Sequence, residues 1–166
     1  GDGPALREAA EAFARTALTD DLAGKPWTAL LQHARAAGEE AAREIEARTA
    51  EELEVTARRD RKRIEREGGE RARRAQRRAQ TAVWDLALQL TGLWLRDCAC
   101  VAAGAPEVVH NRDRADRVAA DAQGRDPARL RAAVELVDDT RFRLQLNVSE
   151  ELAFEALAYR LADALA

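Results

Sequence analysis

The stretch "AVWDLALQLTGLWLRDCACVAA", residues 82–103, decides the fold class. Val83, Leu86, Ala87, Leu90, Leu93, Trp94, Cys98 and Val101 recur at intervals of three and four, the spacing of one helical face. Leu88 and Leu95 add a second face, which predicts a helix buried on more than one side. Inside this apolar run stand Arg96, Asp97, Cys98 and Cys100, so the same segment raises a question of function: reactive site, metal site or structural element.

Composition extends the helical reading to the whole chain. The 166 residues fit one domain, and 46% are apolar but only 4% aromatic, so alanine and leucine must do most of the packing. Abundant Ala, Glu, Arg and Leu, four prolines and few β-branched runs favour helix over sheet. Acidic and basic residues nearly balance at a net charge of -3, which gives no global field for nucleic acid. No apolar run reaches the ~18 residues of a membrane span, and no signal peptide is legible. The chain has no methionine, which implies a part of a longer or processed polypeptide. Two cysteines make no disulfide framework, and a cytoplasmic location is the expectation.

Six or so helices and no strand are expected. Residues 4–18 carry a stripe of Leu6, Ala9, Ala10, Phe13 and Ala17 behind Pro4. Gly24 and Pro26 separate them from a second helix that buries Trp27, Leu30, Leu31 and Ala34. From Gly38 the character changes: residues 39–54 hold seven acidic and two basic side chains, and residues 58–78 hold eleven basic and four acidic. Gly68-Gly69 reads as the break between two long helices, 27–67 and 70–103, with the charged arm (38–75) as a protruding hairpin or, over 55–72, in part disordered. A hairpin would set its acidic strand of charge against its basic one. Residues 104–113 read as a loop, 113–122 as a short helix and 127–146 as a helix with Asp126 as N-cap and Pro127 in its first turn. The last helix, 149–165, starts at Ser149 and is apolar around most of its circumference, which predicts burial in the bundle or at a subunit contact.

Little of this supports chemistry. Cys98 and Cys100 lie about 200° apart on a helix, so they cannot share one metal ion. His33 and His110 are not at ligand spacing from them, and neither a nucleophile elbow nor a phosphate loop occurs. No catalytic residue, cofactor or metal is expected. Arg96-Asp97 reads as an ion pair at the core edge or as a pair that fixes a neighbouring subunit. The basic stretch, Arg71, Arg73, Arg74, Arg77 and Arg78 included, is a solvated face or a phosphate-binding one, and it has no interleaved aromatics for stacking.

The second half carries a resemblance. "LWLRDCACVAAGAPEVVHNRD" (93–113) is similar to a W-x-R-D, glycine, N-R-D series, and "RLQLNVSEELAFEALAYRL" (143–161) to an R-x-x-L-x-x-N-V-N-x-x-L-x-x-E-x-L ending. Both belong to the C-terminal collar of bacterial DNA polymerase III clamp-loader subunits, with the delta prime type the best fit. Ser149 stands where the pattern has its second asparagine, a change that keeps an N-cap oxygen. The likeness covers about residues 80–166 and, loosely, 4–35. The Arg-rich arm goes beyond the usual pattern and resembles high-GC actinobacterial forms.

The resemblance implies an all-α collar of clamp-loader type, here a single collar domain (1–166) with an inserted arm. In such loaders, five collars join into a ring above ATPase-like modules that open the sliding clamp, and delta prime is a stator that does not hydrolyse ATP. The expected partners are the other loader subunits, delta and gamma/tau, with DNA and clamp met only indirectly. Membranes and small-molecule substrates are not expected partners. Trp94, Arg96, Asp97, Asn111, Asn147, Leu152, Ala156 and Tyr159 are the expected interface residues. The alternatives are the collar of gamma/tau, or a helical nucleic-acid-binding protein that uses residues 58–78.

Overall fold

A computed structural model describes residues 3–146 and 148–166. Six α-helices and no strand occur among them: α1 (Gly3–Leu18), α2 (Trp27–Val55), α3 (Arg61–Ala102), α4 (Ala115–Ala122), α5 (Pro127–Leu144) and α6 (Glu150–Leu165). Short 3-10 turns at Pro106–Val108 and Arg112–Arg114 lie between α3 and α4. The protein is an all-α helical bundle, as its composition predicts. Among the described residues, no helix is long and apolar enough to cross a membrane.

The chain forms two compact units: Gly1–Leu31 with Asp85–Ala166, and Gln32–Trp84. In the first, the core is built from Phe13, Leu30, Leu88, Leu95, Val118, Leu130, Val137, Phe154, Leu157 and Leu161, all essentially inaccessible to water. The Phe13 and Phe154 rings meet edge to face at 6.3 Å and join α1 to α6. Leu86, expected in this core, is 43% exposed, and Thr91 is buried because its hydroxyl donates to Ala87 O at 2.9 Å. Helix ends follow the sequence signals. Asp126 accepts from Ala128 N at 2.8 Å and Ser149 from Leu152 N at 3.5 Å. Gly104 and Gly124 adopt φ values of 81° and 71° just beyond α3 and α4, the left-handed geometry that glycine enters without a Cβ clash.

The second unit is an antiparallel pair made by the later part of α2 and the early part of α3. Gly38 faces Gln76 and Gln80, Thr49 faces Gly68, and Glu52 accepts from Arg71 at 2.9 Å. This corrects the position of the break. α3 runs as one helix through Gly68-Gly69, and the chain reverses at 56–60. Thr56 turns its hydroxyl back to Glu52 O at 2.6 Å as α2 ends, and Asp60 O accepts from Ile64 N at 3.1 Å as α3 begins. Gly68 is a contact glycine: an added Cβ would stand 2.3 Å from Thr49 Cγ2. Helices that approach this closely need a residue without a side chain at the crossing, so Gly68 serves packing and not a turn.

Candidate association surface

The polar residues of the opening stretch serve the first unit from inside. Asp97 is fully buried. Its carboxylate accepts from His110 N at 3.1 Å, Asn111 N at 2.8 Å, Asn111 Nδ2 at 2.8 Å and Arg96 Nη1 at 3.1 Å. One charge on α3 therefore holds the backbone of the loop that follows the same helix. A buried carboxylate with several donors is satisfied, whereas the donors alone would be stranded away from water. Arg96 lies over this latch, with its guanidinium also 3.4 Å from Val108 O and 2.8 Å from His110 Nδ1. Trp94 is buried and donates from Nε1 to Asp121 at 3.0 Å, and Asp121 also accepts from Arg15 at 2.9 Å.

Trp94, Asp97 and Asn111 are thus internal, and their polar atoms are engaged within the unit. They have almost no surface for a partner, which revises their expected placement at an interface. Arg96 keeps a partly exposed guanidinium. Asn147 lies outside the described residues.

α6 places its apolar residues on two opposite sides. Phe154, Leu157, Ala158, Leu161, Ala162 and Leu165 are buried against the core. Leu152, Ala156 and Tyr159 fall within about 60° of one another on the other side, at 100° per residue, and all three are exposed. Leu152 is 64% and Tyr159 57% exposed, and the Tyr159 ring tilts against Trp27 with centroids 6.2 Å apart. The end of α5 adds Phe142, and the connection to α6 adds Leu146 and Val148, exposed at 61%, 62% and 40%. Charged pairs flank the surface: Asp139 accepts from Arg143 at 2.9 Å and Arg160 at 3.2 Å, and Asp85 from Arg141 at 2.9 Å. These guanidinium hydrogen bonds hold the Asp139 and Asp85 carboxyls below the usual carboxylate range.

Sequence reasoning named Leu152, Ala156 and Tyr159 as contact residues, which the structure leaves exposed, and did not name the exposed Phe142 and Leu146. The available signal was that Phe142 falls outside the Leu130, Ala133, Val137 stripe of its own helix. It also missed the polar ties between distant elements. Arg7 donates to Asp113 at 2.7 Å and to Asn111 Oδ1 at 2.7 Å, and it pulls the Asp113 carboxyl down. Glu11, buried on α1, accepts from both Arg114 and Arg117. Arg125 donates to Leu18 O and Leu165 O, the last carbonyls of α1 and α6. Each tie spans tens of residues or more, and no local pattern announces it.

Among the described residues, no three His, Cys, Asp or Glu side chains gather at metal-binding geometry. Both cysteines are free, and burial pushes the Cys98 thiol up to about 12. A groove of ≈ 410 Å³ is lined by Arg96, Ala99, Cys100, Arg131, Val134 and Glu135. In the basic stretch, Arg71 pairs with Glu52 and Arg74 with Glu70 at 3.7 Å, while Arg73, Arg77 and Arg78 are exposed without an ion pair among the described residues.

Fold and site together define an all-α bundle with an exposed apolar face on its last helical hairpin. No family model, curated protein or solved structure matches the chain.

Proposed function

We propose that this chain is a non-catalytic association domain of clamp-loader collar type, from the delta prime subunit of a bacterial DNA polymerase III. Its work is to join neighbouring collars in the pentamer that places the sliding clamp on DNA, in the cytoplasm. The observation that carries the reading is the exposed apolar face of α6 and its approach: Phe142, Leu146, Val148, Leu152 and Tyr159, each at least 40% exposed. Surface apolar residues scattered singly are ordinary, whereas a run of large ones on one helical hairpin rimmed by ion pairs has the composition of an association site. The order of the W-x-R-D, N-R-D and N-V-S segments along the chain supports the collar assignment, and a gamma/tau collar is the closest alternative.

Size-exclusion chromatography of the chain with delta and gamma/tau collars tests it. Leu152→Glu with Tyr159→Glu, both at exposed positions, is expected to abolish the pentamer and leave the helical content intact. A pentamer that forms equally well from the variant overturns the reading.

A further inference from the structure

Four cations in the second unit share one side of α3. Lys62, Arg66, Arg73 and Arg77 fall within about 60° of one another around α3, at 100° per residue. All four are exposed, and none has a carboxylate partner among the described residues. Where Ile64, Gly68, Arg71 and Ala72 meet α2, the contact side of the same helix lies roughly opposite, about 160° away; farther along, at Gln76 and Gln80, it turns towards the flank of Arg73 and Arg77, which stay exposed. The carboxylates that do pair with α3 arginines serve other positions: Glu52 takes Arg71, Glu67 takes Arg63 and Glu70 takes Arg74. Gly69, between Arg66 and Arg73 along the stripe, is neutral and not apolar, and Glu70 borders it.

Such a stripe carries a cost in isolation. Lys62 with Arg66, and Arg73 with Arg77, are like charges at i,i+4, each unfavourable by about 0.2–0.5 kcal/mol on a helix surface. A partner that brings negative charge removes that cost. We infer that this stripe binds the phosphate backbone of duplex nucleic acid, without reading its sequence. It spans 15 steps of about 1.5 Å, roughly 22 Å, or some six to seven base pairs at ~3.4 Å each.

The chemistry of the stripe selects this partner. A membrane surface needs large apolar side chains beside the cations, and the stripe has none. A protein partner needs an apolar or aromatic anchor at the centre of the contact, and Gly69 occupies that place. Single strands are held by stacking on aromatic rings, which α3 lacks between Arg61 and Val83. Spaced guanidinium and ammonium groups on a rigid rod suit the regular charges of a duplex, where phosphate contacts give affinity without specificity. The acidic exposed residues of α2, Glu39, Glu40, Glu44 and Glu46, leave that helix unsuited to the same ligand.

Fluorescence anisotropy of a labelled mixed-sequence 20-base-pair DNA with the full chain tests this, from 50 to 200 mM KCl. Four phosphate contacts predict a slope of log affinity against log salt near −3.6, an affinity loss of about 150-fold across that range. The set Lys62→Gln, Arg66→Gln, Arg73→Gln and Arg77→Gln removes the binding. The charge-matched set Arg63→Gln, Arg71→Gln, Arg74→Gln and Arg78→Gln keeps the slope. Arg73→Gln alone flattens it by about 0.9 and needs no multiple substitution to fold. No binding by the parent chain at 50 mM salt, equal loss in the two fourfold sets, or equally tight binding to anionic vesicles or polyglutamate would each overturn the assignment. The measurement is separate from pentamer assembly, so the two readings stand or fall independently.

Discussion

Replacing Gly68 with alanine separates the two readings of the charged arm. In a helix interior, glycine to alanine gains about 1 kcal/mol of propensity. At Gly68, however, the new Cβ would stand 2.3 Å from Thr49 Cγ2, 2.6 Å from Oγ1 and 3.0 Å from Cβ. The Thr49 side chain is β-branched, and its hydroxyl is tied to Ile45 O at 2.8 Å, so it cannot swing aside without losing that bond. Overpacking of this kind costs about 1–3 kcal/mol. Gly69 is the internal control, because a Cβ there meets nothing within 4 Å. The propensity gain is common to both variants and cancels in their difference. Gly69→Ala is therefore expected to be more stable than the parent by up to about 1 kcal/mol, and Gly68→Ala to fall about 1–3 kcal/mol below Gly69→Ala. Urea unfolding followed by far-UV circular dichroism, with hydrogen exchange over residues 32–84, measures both. Thr49→Ala in the Gly68→Ala background should restore part of the loss, a coupling of about 1 kcal/mol. Were the chain to turn at Gly68-Gly69, both alanine variants would lose stability; that result, or Gly68→Ala matching Gly69→Ala, refutes the close crossing.

Asp97→Ala strands the His110 and Asn111 amides and is expected to cost about 3–5 kcal/mol; a thermal melt within a degree of the parent would show that the latch is dispensable. Only one thiol, Cys100, should react rapidly with a disulfide reagent at pH 8, because burial holds Cys98 at about 12; two fast thiols in the folded chain contradict this. Asp85, Asp113 and Asp139 have their pKa values lowered by Arg141, Arg7 and Arg143 respectively. A lowered carboxylate contributes stability above its unfolded value near 3.8, and that contribution is lost as pH falls through the lower folded value. The melting temperature should therefore begin to drop near pH 4 and keep falling below it, less steeply in Arg141→Gln, and a profile flat to pH 2 contradicts the assignment.

Periodicity and capping chemistry made most of the helices legible, because they are local. Asp126-Pro127 and Ser149 mark starts whose bonds the structure contains, and Gly104 marks an end. The arm failed at one point for a physical reason: a glycine pair signals either a turn or a close helix crossing, and only the partner helix decides which. The true reversal at 56–60 contains neither glycine nor proline, so a turn made from Thr56, Ala57 and Asp60 carried no strong signal. In α6, the sequence showed apolar residues around most of the helix but not which of them, Leu152, Ala156 and Tyr159, stay exposed. The burial of Asp97 was not, since its donors sit 13 and 14 residues away on an irregular loop.

The two surfaces differ in how salt acts on them, and this allows one titration to tell them apart. In the proposed association, burial of Leu152 and Tyr159 would be driven by apolar surface, which salt weakens little and which sulfate strengthens. Phosphate binding by Lys62, Arg66, Arg73 and Arg77 releases counterions, so it collapses as salt rises. The rim pairs Arg160–Asp139 and Arg143–Asp139 are exposed enough to be screened at high salt. The proposed association should thus persist at 0.5 M salt with altered rates, where the proposed duplex binding is gone. Both activities vanishing together between about 50 and 200 mM salt would mean that the association rests on charge, and the exposed apolar face would then lose its role.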